Sequence, residues 1–322
     1  MSNLDGEPAV AVCGGTAGVP GAPVRELLPS KEVMLGPGRP VRRLLPTFGR
    51  RMVGAWCFLD HYGPDDISGD AGMQVAPHPH TGLQTVSWLH AGDVLHRDSL
   101  GSLATVRPGE LGLMTAGRGI SHSEESPVPH RPVLHGAQLW VALPDGSRGT
   151  APAFAHHTDL PVVTAPGAEV TVFLGEFDGA LSPGEVFSPL LGADAALASG
   201  ARARLPLEPD FEYAALTMSG DVRVDGDPAP VGRLLYLGCG RDGLRVEADS
   251  DARLILLGGV PFEEKIVMFW NFVGRTGAEI EGYRNAWAAE DALFGAVHGY
   301  AGPRIPAPPL PGLPLKPRGR TR

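Results

Sequence analysis

Glycine and proline punctuate this chain so densely that long helices have little room to form. Together the 44 glycines and 32 prolines make up nearly a quarter of the 322 residues, and the apolar stretches between them are short, which favours strands and turns. Gln84 to Leu89 carries Val86, Trp88 and Leu89 and closes at Ala91-Gly92-Asp93. Val94 to Leu100 reads as its return strand, and Gly101-Ser102 turns into Leu103 to Val106. Arg107-Pro108-Gly109-Glu110 then places proline and glycine as a type II turn requires. Met52 to Leu59 is an apolar run ending in the turn-like Asp60-His61-Tyr62-Gly63-Pro64, and Leu111 to Thr115 and Leu134 to Leu143 continue the series. Turns recurring at roughly ten-residue intervals mark a sandwich or barrel. The expected class is all-β.

From Val162 the pattern starts again, through Val170 to Leu174, Phe187 to Leu191, Ala203 to Leu207, Phe211 to Leu216, Val222 to Val224, Leu234 to Leu237, Leu244 to Val246 and Leu254 to Leu257. A second β domain of similar size follows, in keeping with domains of ~100–200 residues. Residues 1–22 show neither period and read as a poorly ordered lead-in, with Val24 to Arg43 as the opening strand of the first domain. One short helix is expected over residues 276–292, where Thr276 and Glu279 form a capping box ahead of Ile280, Tyr283, Ala286 and Trp287 on one face. Residues 303–322 are a proline-rich tail that turns basic at Lys316, Arg318, Arg320 and Arg322; such a segment is either disordered or extended along the surface.

The net charge of -9 provides no positive field for phosphates, so nucleic acid is not an expected direct partner. Cys13, Cys57 and Cys239 are odd in number and far apart, which fits a reducing compartment better than a disulfide framework. The first residues lack a basic region followed by a sustained apolar run, and no stretch approaches the ~20 apolar residues of a membrane helix. A cytoplasmic monomer with no membrane contact is the expectation.

Histidine placement is the most informative chemical pattern. His61, His78, His80, His90, His96, His122, His130, His135, His156 and His157 fall in the first half, and only His298 lies beyond. Side chains two apart on a strand share a face, so His78-Pro79-His80 and His122-Ser123-Glu124 can each aim two ligands at one interior point. Pro79 has no N–H, which restricts its triplet to a strand edge, a strand start or a bulge. Either pair alone also fits solvated polar residues. Taken together, three imidazoles and one carboxylate suit a first-row transition metal and leave coordination positions open. His96 beside Asp98 reads as hydrogen-bonded or solvated, His61 as a turn residue, and His90, His130, His135, His156 and His157 as ordinary polar residues. Arg118 lies near the second triplet, either reaching an anionic ligand or forming a surface ion pair.

The segments Phe58-Leu59-Asp60-His61-Tyr62-Gly63-Pro64, His78-Pro79-His80-Thr81-Gly82, His96-Arg97-Asp98-Ser99-Leu100-Gly101 and Met114-Thr115-Ala116-Gly117-Arg118-Gly119-Ile120-Ser121-His122-Ser123-Glu124 closely resemble the pirin-like proteins of the cupin superfamily. Trp270-Asn271-Phe272-Val273-Gly274-Arg275 extends the resemblance more loosely into the second half. It implies two cupin (jelly-roll) β-barrels in one chain: a metal-binding barrel at residues 23–150 and a metal-free barrel at 160–275. It also implies His78, His80, His122 and Glu124 as ligands of one divalent metal, Fe(II). The chain departs from many relatives at Gln84, where they carry glutamate, and at Thr81, where a basic residue is common, so a different pocket charge is expected.

Some members of the family are similar to quercetin 2,3-dioxygenases, which open a flavonol ring with O2 and release carbon monoxide. On that resemblance the substrate is a small aromatic such as a flavonol, and Glu124 is both ligand and catalytic base. The alternative is a non-enzymatic, iron-binding, redox-sensing regulator acting through a protein partner. A storage role with a structural metal fits less well, since structural sites tend to be closed.

Overall fold

The computed structural model describes residues 24–35 and 39–321. Two β-barrels, each built from a large and a small antiparallel sheet, account for most of them, as the resemblance implied. In the first barrel a seven-stranded sheet runs in the order Ala153–His157, Leu111–Thr115, Leu83–Ala91, Val133–Ala142, Trp56–Asp66, Arg39–Leu45, Lys31–Leu35. The four strands Gln74–His80, Ile120–Glu125, Val94–Asp98 and Leu103–Val106 form its small sheet.

The second barrel repeats this plan. Its eight-stranded sheet contains Glu26–Leu27, Leu234–Gly238, Glu212–Ser219, Ala252–Gly259, Leu190–Leu197, Ala168–Phe177 and Val162–Ala165 in that order, with Ala180–Leu181 paired to Ala168–Phe177. The small sheet holds Arg202–Pro206, Gly243–Ala248, Val222–Val224 and Asp227–Pro228.

Sequence pattern explains which strands face water. Arg202–Pro206 alternates exposed and buried residues, with Ala203 and Leu205 turned into the core. Leu83–Ala91 lacks that alternation because both its faces are covered, one by the first barrel's interior and the other by the second barrel. Aromatic side chains carry the contact between barrels. Trp56 Nε1 donates to Leu191 O (3.1 Å) and lies 3.2 Å from Gly258 O, while Trp88 stacks on Phe173 with ring centroids 4.8 Å apart.

Three local expectations change. The supposed turn at Asp60-Pro64 is part of the long strand Trp56–Asp66. That strand is continuous through Gly63, whose φ of +78° suits glycine and where a Cβ would stand 2.1 Å from Leu134 O. Glu26–Leu27 does not open the first barrel; it pairs with Leu235 and Tyr236 of the second, anchored by buried Leu28. The strand expected over Phe187 to Leu191 runs instead over Leu190–Leu197, an alanine-rich segment with weak strand propensity of its own.

The helix is Gly277–Ala288, with both halves of the Thr276/Glu279 capping box formed. Ile280 and Trp287 are buried, with Tyr283 and Ala286 packed beside them. The proline-rich tail takes the extended course. Ile305 N donates to Pro77 O (2.8 Å), Ile266 and Arg318 exchange backbone hydrogen bonds, and Arg320 reaches Glu212 (3.0 Å). Cys57 is buried and Cys239 exposed, both as free thiols; Cys13 and the lead-in lie outside the described residues. No helix among the described residues is long and apolar enough to cross a membrane.

Candidate metal centre

Strands Gln74–His80 and Ile120–Glu125 pair antiparallel with His122 opposite His78 and Ile120 opposite His80. Pro79 is tolerated because its strand lies at the edge of the small sheet. A register shift between His122 and Glu124 places Glu124 opposite Val75, so the first strand carries the extra residue of a bulge.

The three histidines converge. One ligand-capable nitrogen from each of His78, His80 and His122 falls within 4.8 Å of the others, and all three side chains are 0% exposed. Burial, the dominant cause, pushes the His78 pKa down to about 4 and those of His80 and His122 well below the usual histidine value. The imidazoles are therefore neutral near pH 7, the form that ligates metals.

Hydrogen bonds also set which nitrogen points inward. His78 Nδ1 lies 2.8 Å from Ala76 O and must donate to it, which leaves a lone pair on Nε2. Asp98 Oδ2 accepts from His96 Nε2 at 3.3 Å, and His96 Nδ1 is then placed to accept from His122 Nδ1 at 3.4 Å. The His122 lone pair is left on Nε2 by the same logic. Neither Nε2 has a hydrogen-bond partner among the described residues. Buried nitrogens of this kind are costly unless something binds them, so the donor set fits a metal ion.

Glu124 is buried on the strand of His122 but falls outside the 4.8 Å group. It is near enough to His78 for its charge to oppose the effect of burial on that imidazole. Ser87 Oγ stands 3.0 Å from Glu124 Oε1 and 3.1 Å from Gln138 Oε1, orienting the carboxylate. Burial, with Glu124 adding to it, raises the Tyr62 pKa well above the ordinary phenol value and keeps its hydroxyl protonated.

Other sequence candidates go elsewhere. Gln84 donates to Thr115 Oγ1 and Glu185 O, both at 3.0 Å, so it faces the second barrel and does not set the charge around the histidines. Arg118 is exposed, whereas the three histidines are buried. His61 and His135 meet at 3.1 Å between Nε2 atoms, and His90 contacts Asp194 of the second barrel. His61 and His135 are buried and His90 is half-buried at the interface, rather than turn or surface residues. The alternation of adjacent strands was the only sequence signal for that placement. His96 was legible as hydrogen-bonded, but its link to His122 required the pairing of Val94–Asp98 with Ile120–Glu125.

Beside the histidines, Trp140 packs edge-on against His80 (centroids 5.1 Å) and stacks on Phe58 (4.0 Å). Both aromatic rings line a cavity of about 460 Å³ that none of the four candidate ligands lines.

Comparisons with known proteins agree with this architecture. The profile of the Pirin family matches residues 38–141, and that of the Pirin C-terminal cupin domain matches residues 192–292. A Pseudomonas aeruginosa protein named "Putative quercetin 2,3-dioxygenase" is 49% identical over 262 residues, covering 81% of this chain and 83% of its own length. A Pirin-like protein from Caulobacter vibrioides is 38% identical over 246 residues, covering 74% of this chain and 84% of the relative. The crystal structure of a quercetin 2,3-dioxygenase from Acinetobacter baumannii superimposes with a TM-score of 0.88 at 41% identity, over 91% of this chain and 97% of that one.

Proposed function

This chain belongs to the pirin family, and on that premise we propose that it is a metal-dependent dioxygenase that opens a flavonol-type ring with O2. His78, His80, His122 and Glu124 would hold the metal, Fe(II) in this reading. The observation that carries the reading is the convergence of three neutral, wholly buried imidazoles in the first barrel. The resemblance to proteins named as quercetin 2,3-dioxygenases supports the choice of substrate.

When bound, the ion supplies Lewis acidity and one-electron exchange with O2. The chain's own residues do the rest. Glu124 accepts the proton of the flavonol hydroxyl on its carboxylate, whose Oε1 is held by Ser87. His96 and Asp98 orient His122 through its Nδ1. Trp140, packed edge-on against His80, gives an apolar wall that excludes water.

The test is aerobic incubation of iron-loaded protein with quercetin, following loss of flavonol absorbance and release of carbon monoxide. Glu124→Gln is expected to lower turnover by ~10²–10⁴-fold. Absence of turnover in the unaltered protein, or equal turnover in the variant, rules out this reading. A second reading, the iron-binding regulator acting through a protein partner, draws on the complete burial of the candidate ligands. Identical partners captured by the ferrous and ferric forms count against it.

A further inference from the structure

The 460 Å³ cavity has a lining that the metal chemistry does not call for. Its floor is the stacked pair Phe58 and Trp140, one wall comes from the hairpin segment Ile266 to Trp270, and the tail from Pro311 to Arg318 closes it over. Among the described residues its charged lining is Lys31, Arg43, Arg51, Lys316 and Arg318, all of them cations. That is a local inversion in a chain whose net charge is -9.

Arg43 and Arg51 already have protein work, and Lys31 too has a partner. Arg43 makes two 2.9 Å hydrogen bonds to Asp60 and lies over the Phe58 ring, and Arg51 donates to Gly319 O and Thr321 O. Lys316 is exposed and Arg318 half-buried, on the strip of tail that forms the roof. The tail is pinned there from both sides, by the backbone pair Ile266/Arg318 and by the bridge between Arg50 and Thr321. An aromatic floor beneath a cationic roof matches a molecule with an apolar body and one anionic end. Cavity size fits a small ligand, since such pockets span roughly 300–1,000 Å³.

We propose that this cavity is a binding site for an amphipathic organic anion. Its ring or acyl body lies on Phe58 and Trp140, and its carboxylate or sulfonate meets Lys316 and Arg318. The site needs no metal. Trp140 is nevertheless shared, lining the cavity on one side and packing against His80 on the other, so an occupant sits one indole away from the histidine group.

The test is a fluorescence titration of the full chain, metal-loaded and chelated, with anilinonaphthalene sulfonate and with its uncharged analogue phenylnaphthylamine. Expected is one saturable sulfonate site per chain, of equal affinity in both metal states and about tenfold tighter than that of the uncharged probe, as one charge-assisted hydrogen bond allows. The double substitution Lys316→Glu, Arg318→Gln should weaken the sulfonate about tenfold and leave the uncharged probe unchanged. Equal affinity for the two probes, non-saturating binding, or an unaltered sulfonate affinity in the double variant overturns the proposal. Should that variant lose both probes, Lys316→Glu alone decides, because the side chain is exposed. Selective loss of the sulfonate then supports the site, and unchanged binding overturns it.

Discussion

The two barrels share one architecture and have opposite interiors. In the first, His78, His80, His96, His122, Glu124, Ser87 and Gln138 are all buried in one polar group. In the second, the corresponding core is apolar, with Ala193, Ala195, Leu205, Val224, Val246, Leu254 and Leu256 packed together. Its two buried acids are turned outward to other partners. Asp194 accepts from Trp88 of the first barrel (2.6 Å), and Glu212 accepts from Gly54 N (2.7 Å) and Tyr236 (2.6 Å). The difference shows what a site requires beyond a fold. An apolar interior is stable by itself, whereas each buried polar group without a partner costs about 1–3 kcal/mol. The first barrel carries that cost at His78 and His122 and recovers it only when something binds.

The largest expected effect tests that contrast directly. His122→Ala should lower metal affinity by at least ~100-fold, since even the outer partners of ligands are worth ~10–100-fold. It should also abolish the rise in melting temperature that metal confers on the unaltered protein. Elemental analysis and thermal unfolding with and without metal read both, and retention of one metal per chain would break the contrast.

In the second barrel, Leu254→Ala should cost about 2–5 kcal/mol by urea unfolding. Metal content should stay unchanged, because Leu254 supports a core with no role in binding. A parallel loss of metal would mean that the barrels do not divide the work.

A smaller effect should appear at the seam between them. Burial first, and then His135, Arg42 and His90, lower the His61 pKa from 6.5 to about 3, while burial chiefly, then His90, lower that of His135 to about 4, with Asp194 opposing. The unfolded chain takes up these protons below pH 6.5 and the folded chain does not. Their contribution is thus fully present above pH 6.5 and is lost progressively as the pH falls toward the folded values of about 4 and about 3. Urea midpoints across that range should fall with acid, and His135→Gln should flatten the slope.

Smallest is Ser87→Ala, which removes one hydrogen bond to Glu124. We expect about 0.5–1.5 kcal/mol of lost stability, a few-fold loss of turnover and unaltered metal content. A loss of turnover as deep as that of Glu124→Gln would give Ser87 a larger role than orientation.

Much of this was legible in the residues themselves. Turn punctuation and strand alternation are local, so the all-β class and most strands follow from spacing alone, and the Thr276/Glu279 box marks its helix because capping is made within four residues. The histidine triplets show shared faces for the same reason, since a period of two is a property of the strand itself. The strand Leu190–Leu197 was less visible because its alanines carry little strand preference and acquire order only between Ala168–Phe177 and Ala252–Gly259.

What the sequence alone determined is the material of this protein: two runs of strands, histidines confined almost entirely to the first half, and two pairs of candidate ligands, each on one face of a strand. Only the tertiary structure decided which face looks where. Gln84 and Ser87 stand on the same strand, yet Gln84 turns to Glu185 of the second barrel and Ser87 to Glu124. His61, His90 and His135 face the seam, while His96 lines up behind His122. Alternation separates the two faces of a strand but does not label them as interior or seam. The label comes from pairing between segments far apart in the chain, which no local period encodes.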